Sequence, residues 1–320
     1  MIHIKRKGYL YENTYNLENI IDAYNEVCRN TRNKRKVDKY KYYKCIYISR
    51  VYDILKNKQY VPGPYNKFTI YEPKKRVISS QGMVDKTINH LVARHILYPA
   101  LLPCLLNENV ASRSDLGTTA GINLRKSFDS ICKRKYGEYY VLKCDISKFF
   151  YSINHDILKN KLAKRIKDKD ALKIVFQIID SESAGVNIGS MTSQVFAIFY
   201  LNDMDHFIKE QLKIKYYVRY QDDFLLYHPS KQYLKYCFSE IKQFLEKEKL
   251  VLNKKTRLFK NTNNFIFLGN NKQNKYSKYR VVKRKLKKQK YLYFSKKISL
   301  HSLASSIINY EGLCNKNIDI

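Results

Sequence analysis

The sequence predicts an α+β protein in which an antiparallel sheet packs against amphipathic helices. The run 139–146 is densely apolar with a single acid, and the runs 216–220 and 224–228 are typical of two strands joined by a short polar turn. Apolar residues recur at steps of three and four over 197–212, which predicts a helix with one buried stripe. No internal repeat or long linker interrupts the chain, so one body with several lobes is expected.

The chain is strongly basic. Its 320 residues include 61 Lys and Arg against 28 Asp and Glu, a formal net charge of +33. An excess of this size repels itself unless a polyanion neutralises it. Twelve Lys or Arg and no acid fall within 271–297, where aromatic residues are interleaved. This stretch predicts a nucleic-acid-binding helix, and the alternative is a solvated charged face.

Several protein classes are disfavoured by what the sequence lacks. No apolar run reaches the ~18 residues of a membrane span, and the first residues lack the apolar stretch of a secretory signal. The seven cysteines include no C-x-x-C pair, which argues against a zinc site or a disulfide framework. We therefore expect a cytoplasmic protein with an acidic partner and no membrane association.

The elements of the first half are predicted to be mainly helical. Residues 17–27 carry the clearest amphipathic pattern of the polar N-terminal region. The runs 68–72 and 76–79, joined by Pro73-Lys74-Lys75, predict a short hairpin, and 85–97 predicts a helix.

Two helices of the second half are expected to begin at polar caps. Ser152 or Asn154 is the predicted cap of a helix that runs to about residue 165. Thr192 or Ser193 is the predicted cap of the long helix that carries the 197–212 stripe.

Acidic residues occur where burial makes them costly. Asp145 lies in the apolar run 139–146, and Asp222 and Asp223 lie at the tip of the hairpin. Burying a carboxylate without a compensating cation costs roughly several kcal/mol of folding free energy. Converging carboxylates therefore indicate a bound metal. Oxygen ligands without His or Cys favour Mg²⁺ or Mn²⁺, and two such ions suit phosphoryl transfer. The alternative is that Asp222-Asp223 is an ordinary turn.

The order of these elements resembles the palm of template-directed polymerases. Tyr220-Gln221-Asp222-Asp223 resembles the Y-x-D-D box of reverse transcriptases, and 145–150 (D-I-S-K-F-F) resembles their first palm motif. The resemblance implies a right-hand polymerase with fingers, a palm with an antiparallel sheet and a short helical thumb. It also implies RNA-directed DNA polymerase activity, with a nucleotidyltransferase mechanism.

The resemblance divides the chain into five parts. An N-terminal segment with fingers is expected over 1–95, and the palm is expected in two pieces. The predicted bounds are 96–154 for the first palm part, 155–187 for a fingers insertion, 188–270 for the second palm part with the YQDD hairpin, and 271–320 for a basic helical thumb.

For the catalytic centre, the resemblance implies two Mg²⁺ ions, with Mn²⁺ as a substitute. Asp145 and Asp222 are expected to bridge the ions, with Asp223 close by and the carbonyl of Ile146 as a further ligand. Lys255, within the L-N-K-K-T sequence at 252–256, is expected to act near the triphosphate.

The deoxynucleoside triphosphate (dNTP) site is implied by further motifs. Residues 68–78 resemble the fingers hairpin, in which Arg76 holds the triphosphate beside Lys74. Residues 188–194 (I-G-S-M-T-S-Q) stand where most reverse transcriptases carry Q-G-x-x-x-S-P, which assigns Gly189 to the site. Gln221 is also assigned to the dNTP site, and it departs from the Ala, Met or Val that is usual before the two aspartates.

Phe150 matches the aromatic residue that excludes ribonucleotides in this family. A ring there would clash with a 2′-hydroxyl, and the alternative is ordinary core packing. Phe149 is the predicted core residue, because neighbours on a strand face opposite ways.

Nucleic-acid contacts are implied at three places. The stretch 113–118 (R-S-D-L-G-T) is similar to the family's R-x-x-x-G-T element, and 267–269 (F-L-G) resembles a primer-contacting turn. The residues assigned to these contacts and to the basic thumb are Arg113, Leu268, Gly269, Lys283, Arg284 and Lys287.

The implied partners are an RNA template, expected to be a dedicated noncoding RNA, its cDNA product and dNTPs. An accessory protein or a second copy of the chain stays open. The I-G-x-x-x-S-Q form resembles the enzymes of diversity-generating retroelements and related bacterial antiviral defence systems, so the biological role stays open between them. The second hypothesis is a polymerase-like RNA-binding scaffold without activity, against which the three carboxylates argue.

Overall fold

A computed structural model describes residues 6–70, 76–113, 116–262, 265–271 and 275–314. The chain divides into two compact units. The first comprises residues 1–68 and 78–261, and the second comprises 69–77 and 262–320.

The N-terminal region of the first unit is helical, as predicted. Its helices are α1 (Leu17–Asn30), α2 (Lys34–Tyr42) and α3 (Lys44–Lys56). Asn16 caps α1 through its side chain, which accepts hydrogen bonds from the backbone N–H groups of Glu18 and Asn19. One face of α1 is buried because its apolar residues recur at helical spacing, and the helix packs against α3 and α4 (Met83–Val92).

The predicted hairpin is present as β1 (Asn66–Ile70) and β2 (Arg76–Ser80), which form a two-stranded sheet. Lys74 lies outside the described residues. The predicted helix over 85–97 begins earlier, at Met83, and continues through a π-helical turn over Ala93–Leu97 into α5 (Tyr98–Leu101).

A four-stranded antiparallel sheet forms the centre of the first unit, in the order β4-β5-β3-β6. Its strands are β3 (Tyr140–Asp145), β4 (Tyr216–Tyr220), β5 (Asp223–His228) and β6 (Arg257–Lys260). The first three confirm the predicted strands. The sequence analysis did not find β6, because its four residues are too few to show a period of two.

The remaining helices of the first unit accompany this sheet. They are α6 (Thr118–Tyr136), α7 (Phe149–Ser152), α8 (His155–Ala163), α9 (Lys169–Ile179), α10 (Met191–Tyr200), α11 (Asn202–His206) and α12 (Lys231–Lys247). Asn154 caps α8, which confirms one of the two predicted caps. α10 and α12 contribute fully buried apolar side chains to the core.

The predicted cap of α10 is wrong by two residues. Ser190 is the cap, and its hydroxyl accepts from the N–H of Ser193 at 3.2 Å. Thr192 and Ser193 lie inside the first turn, where their hydroxyls donate to Asn89 and Asn187 at 2.6 and 3.1 Å.

The predicted long helix over 197–212 is interrupted. α10 ends at Tyr200, α11 begins at Asn202, and a π-helical turn follows over Phe207–Gln211. Buried cations stabilise the break by donating to helix carbonyls: Arg219 donates to Ile198 and Lys161 donates to Tyr200, each at 3.0 Å.

The second unit contains the short hairpin of β7 (Ile266–Phe267) and β8 (Asn270–Asn271) and two helices, α13 (Lys275–Phe294) and α14 (Leu300–Cys314). Both helices lie in the tail that was predicted to be helical. Within the described ranges, no helix is long and apolar enough to cross a membrane.

Candidate active site

The three aspartates of the predicted centre come together at one end of the central sheet. Asp145 ends β3 and Asp223 begins β5, and the two residues are register partners in the antiparallel pair. Opposed residues of such a pair have Cα atoms about 4.5–5.5 Å apart and side chains on the same face. Asp222 belongs to the two-residue turn between β4 and β5, because Tyr220 pairs with Asp223.

The turn itself has an unusual backbone. Gln221 has φ 56°, in the left-handed region that non-glycine residues rarely adopt. Its carbonyl accepts a hydrogen bond from Arg219 Nη1 at 3.0 Å.

Arg219 is in turn held by a buried acidic partner. Its Nε donates to Asp205 Oδ1 at 2.7 Å, and the hydroxyl of Tyr217 donates to the same oxygen at 2.6 Å. Burial by itself would lower the pKa of Arg219, but the charge of Asp205 outweighs it and raises that pKa. This ion pair, with both side chains fully buried, anchors the end of β4 beside the turn.

A lysine lies among the carboxylates. Lys143 Nζ is 3.0 Å from Asp223 Oδ2, and both side chains are about one-quarter exposed. Lys143 precedes Asp145 by two residues, so both point to the same face of β3. The thiol of Cys144 points to the other face and is buried; burial first, and then the charges of Asp223 and Asp145, raise its pKa.

Lys255 is brought to Asp145 by a turn that follows α12. The N–H of Asn253 donates to the carbonyl of Asp145 at 2.7 Å, and the N–H of Ser147 donates to Val251 at 2.8 Å. Asn253 Oδ1 accepts from the N–H of Lys255 at 3.1 Å. Ile146 forms an isolated antiparallel bridge with Leu252 in the same segment. Lys255 itself is exposed.

The two phenylalanines after Asp145 differ in burial: Phe149 is in the core, as predicted, and the partly buried Phe150 also packs against that core. Phe149 is buried and Phe150 is partly exposed. They lie in α7, a single helical turn, and not on a strand; successive residues of a helix point about 100° apart, so one ring can be buried and the next exposed.

A glycine loop is packed against Phe150. The N–H of Val186 donates to the carbonyl of Phe150 at 2.8 Å. Gly185 has φ 66°, and a Cβ there would lie 2.5 Å from that carbonyl oxygen, so only glycine fits.

Gly189 is exposed and lies against β2. The N–H of Ser79 donates to the carbonyl of Ile188 at 3.1 Å, and a Cβ on Gly189 would lie 3.0 Å from the carbonyl oxygen of Ser79. Gly189 has φ 132°, which also favours glycine.

Arg113 is engaged with its own loop. Its Nη1 donates to the carbonyl of Leu106 at 3.1 Å, and the residue is only partly exposed. Arg76 belongs to the second unit and is exposed.

The other predicted nucleic-acid residues lie in the second unit. Leu268 and Gly269 form the turn between β7 and β8, with φ 51° and 72°. On α13, Lys283, Arg284 and Lys287 are exposed, whereas Val282 and Leu286 are buried and Ile307 of α14 packs against them. The charged face and the apolar face of this part of α13 are therefore distinct.

The donor set at the end of the sheet fits a hard divalent cation. Within the described residues, no three Asp, Glu, His or Cys side chains are close enough to form a preformed metal cage. Mg²⁺ does not require one, since it is usually bound by one or two carboxylates together with water and substrate phosphates. Asp145 and Asp223 oppose each other on paired strands and Asp222 adjoins Asp223, so the residues present fit Mg²⁺ or Mn²⁺ held by one or two carboxylates.

Sequence reasoning missed several residues that build this centre. Lys143 could have been found, because a lysine two residues before Asp145 shares its face of the strand. Arg219 and Asp205 carried no signal, since they are distant in sequence and pair only in the fold.

A family model and a curated protein match this chain in sequence. The model of the family described as "Reverse transcriptase (RNA-dependent DNA polymerase)" matches residues 56–272. The retron Ec48 reverse transcriptase of Escherichia coli is 28% identical over 210 residues, which cover 60% of this chain and 49% of that protein. The chain thus spans about half the length of this relative.

Two solved structures match part of this chain. Apo telomerase from Candida tropicalis, truncated from the C-terminal domain, has a TM-score of 0.50 at 16% identity, covering 68% of this chain and 56% of that one. Telomerase from Candida albicans, with a fragment of telomeric RNA, has a TM-score of 0.48 at 16% identity, covering 64% and 44%. The Candida tropicalis likeness confirms the predicted right-hand polymerase fold.

Proposed function

This chain belongs to the reverse transcriptase family, and from that membership we propose that it is an RNA-directed DNA polymerase that makes cDNA by two-metal nucleotidyl transfer. The observation that carries the proposal is the convergence of Asp145, Asp222 and Asp223 at the ends of adjacent strands. Such a site has little covalent chemistry to perform, so catalysis consists of positioning and charge stabilisation.

Enzymes of this family depend on divalent metal ions, and we assign that role here to Mg²⁺, with Mn²⁺ as a substitute. Asp145 and Asp222 would hold the ions, with Asp223 close by and the Ile146 carbonyl as a further ligand. When bound, the ions would neutralise charge on the reacting phosphate and lower the pKa of the primer hydroxyl.

The remaining roles fall to residues around this centre. Lys255 follows by two residues Asn253, whose N–H donates to the Asp145 carbonyl, and it would bind the triphosphate. Phe150 would exclude the 2′-hydroxyl of ribonucleotides, and Gly189 would let the nucleotide approach the backbone closely. Arg76 and Lys74 of the fingers hairpin would complete the triphosphate site.

Nucleic acid would be bound by basic and turn residues beyond the palm. The exposed cations of α13 suit contacts with phosphates, which do not depend on base sequence. The proposed set is Arg113, Leu268, Gly269, Lys283, Arg284 and Lys287. The guanidinium of Arg113 already donates to the carbonyl of Leu106 in its own loop, which favours a role in shaping that loop.

The template is proposed to be a dedicated noncoding RNA, a choice supported by the 28% identity to a retron reverse transcriptase. The biological role is proposed to be antiviral defence or retroelement diversification. Sequencing the nucleic acid that co-purifies with the chain distinguishes them, because diversification leaves scattered substitutions at template adenines and defence leaves faithful or repetitive cDNA.

The test of the proposed function compares Asp222→Ala with Asp38→Ala. Both remove one aspartate, but Asp38 is exposed on α2 and distant in sequence from the motifs. Asp222→Ala should lower dNTP incorporation on an RNA template by about 10³-fold or more, since the metal contribution is worth several kcal/mol. Asp38→Ala should be unchanged, and both should retain RNA affinity. Substantial polymerisation by Asp222→Ala would contradict the proposal.

A further inference from the structure

Three polar side chains from separate segments are joined at the aspartate turn. Gln221 Nε2 donates to Ser112 Oγ at 2.8 Å. Ser112 Oγ donates onward to Gln194 Oε1 at 3.3 Å. Ser112 lies in the loop before α6, Gln194 lies in the first turn of α10, and Gln221 lies in the β4–β5 turn. We call Ser112, Gln194 and Gln221 the polar relay.

Both glutamines are departures from the usual family motifs, in addition to Ile188. Gln221 replaces the Ala, Met or Val of the Y-x-D-D box, and Gln194 replaces the proline of Q-G-x-x-x-S-P. None of the usual residues has a side-chain donor, and the methionine thioether is only a weak acceptor, so none could donate to Ser112 as the Gln221 amide does. The relay therefore requires both departures, and Ser112 connects them.

The two residues of the Gln221–Ser112 hydrogen bond both have a strained backbone conformation. Gln221 has φ 56° and Ser112 has φ 53°. Non-glycine residues in this region are strained and persist only where the surrounding structure holds them there.

Several hydrogen bonds hold Ser112 and Gln221 in these backbone conformations. The Ser112 carbonyl accepts from the hydroxyl of Tyr98 at 3.2 Å, and the Gln221 carbonyl accepts from Arg219 at 3.0 Å. The loop of Ser112 is itself attached to β4, because the N–H of Val110 donates to the carbonyl of Arg219 at 3.0 Å. The relay adds the only side-chain bond described for Gln221, whose neighbour in the turn is Asp222.

We infer that the polar relay positions Asp222 by holding Gln221 in its left-handed conformation. Its members are positioning residues, which act through the turn and not on the substrate. This inference rests on the proposed function, because it concerns the rate of nucleotide incorporation. It assigns to Gln221 a role in the geometry of the catalytic turn in place of direct dNTP binding.

The test uses Gln221→Met, Ser112→Gly and the double variant. Gln221→Met removes the amide and restores a residue usual in the family, and glycine suits the positive φ of Ser112, so both variants should fold. Loss of the hydrogen bond would misplace a catalytic group, so each single variant should lower the maximal single-turnover rate on the order of tenfold. The dNTP concentration for half-maximal rate should change less than about twofold.

The double variant separates a relay from two independent effects. Because either substitution breaks the same bond, the double variant should be no slower than the slower single variant. The burst amplitude, which counts active sites, and the melting temperature should match the wild type in all three. Ser49→Ala, at an exposed serine of α3, is the matched control and should retain the wild-type rate.

Several outcomes would overturn the inference. A wild-type rate in either single variant would do so, as would a double variant slowed by the product of the two single effects. A reduced burst amplitude with an unchanged rate per active site would assign the relay to folding alone. Absence of incorporation by the wild-type chain would overturn the proposed function and with it the relay, and this result is distinct because the wild type is measured first.

Discussion

Two groups of acidic residues in the first unit differ in burial and in pairing. Asp205 is fully buried, and it pairs with Arg219 and accepts a hydrogen bond from Tyr217. Asp145, Asp222 and Asp223 are each partly exposed at the end of the same sheet, and the short-range cation described there is Lys143, 3.0 Å from Asp223. The fold buries Asp205 together with its cation and keeps the three carboxylates at the sheet end partly exposed, where a divalent cation can reach them.

The largest expected effect comes from Asp145→Asn. Since Asn keeps the shape but loses the charge, incorporation should fall by about 10³-fold or more. The free energy of unfolding should change by no more than about 1 kcal/mol, because the loss of one charge also relieves repulsion among the carboxylates. Single-turnover incorporation and urea unfolding measure the two quantities, and a large loss of stability would remove the distinction between the two acid groups.

For Arg219→Met, the large expected effect is on the stability of the fold. Removing one partner of a buried ion pair leaves an uncompensated charge, so the free energy of unfolding should fall by about 3–5 kcal/mol. The double variant Arg219→Met/Asp205→Leu should recover part of this loss, because neither charge is then buried alone. Urea unfolding of the single and double variants checks this, and an equally unstable double variant would show that packing and not charge is responsible.

A smaller effect is expected from Lys143→Met. The ion pair with Asp223 is partly exposed, so its electrostatic energy is on the order of 1 kcal/mol. Removing the cation should increase the affinity of the site for Mg²⁺, and the Mg²⁺ concentration for half-maximal incorporation should fall about fivefold. Lys242→Met, which alters an exposed pair on α12, is the control and should leave the Mg²⁺ titration unchanged.

The smallest effect concerns Asp168, an acid that is satisfied by backbone groups. Burial would raise its pKa, but hydrogen bonds from the N–H groups of Tyr11, Ala171, Leu10 and Asp170 outweigh burial and lower it. Because the folded-state pKa is depressed, Asp168 stabilises the fold above its unfolded pKa, about 3.9, and this contribution is lost as the pH falls through the folded value.

The measurement is the free energy of unfolding of Asp168→Asn against pH. At pH 7 the free energy of unfolding of the variant should be lower than that of the wild type by about 1 kcal/mol or less, because Asn still caps α9. The difference should shrink below about pH 4. A constant difference at all pH values would contradict a role for the charge.

Much of the site was predictable from the sequence because its acids lie in unusual surroundings. Asp145 in an apolar strand and Asp222-Asp223 in a hairpin turn were predicted as one cluster, and the structure places them at the ends of paired strands. The predicted stripe over 197–212 is buried, but the region is divided into consecutive helical segments and is not one helix. The pattern of apolar residues continues through a break that Arg219 and Lys161 stabilise from outside the helix. Periodicity reports burial, and it cannot show which carbonyls are satisfied by distant side chains.

By itself, the sequence determined the strands, the amphipathic helices and the residue types of the carboxylate site, since these follow from local patterns of charge and hydrophobicity. The tertiary structure alone decided which distant residues meet: β6 beside β3, Arg219 against Asp205, and Ser112 between Gln194 and Gln221. The physical reason is that a hydrogen bond or an ion pair depends on distances of about 3 Å, and only the folded chain brings residues separated in sequence that close.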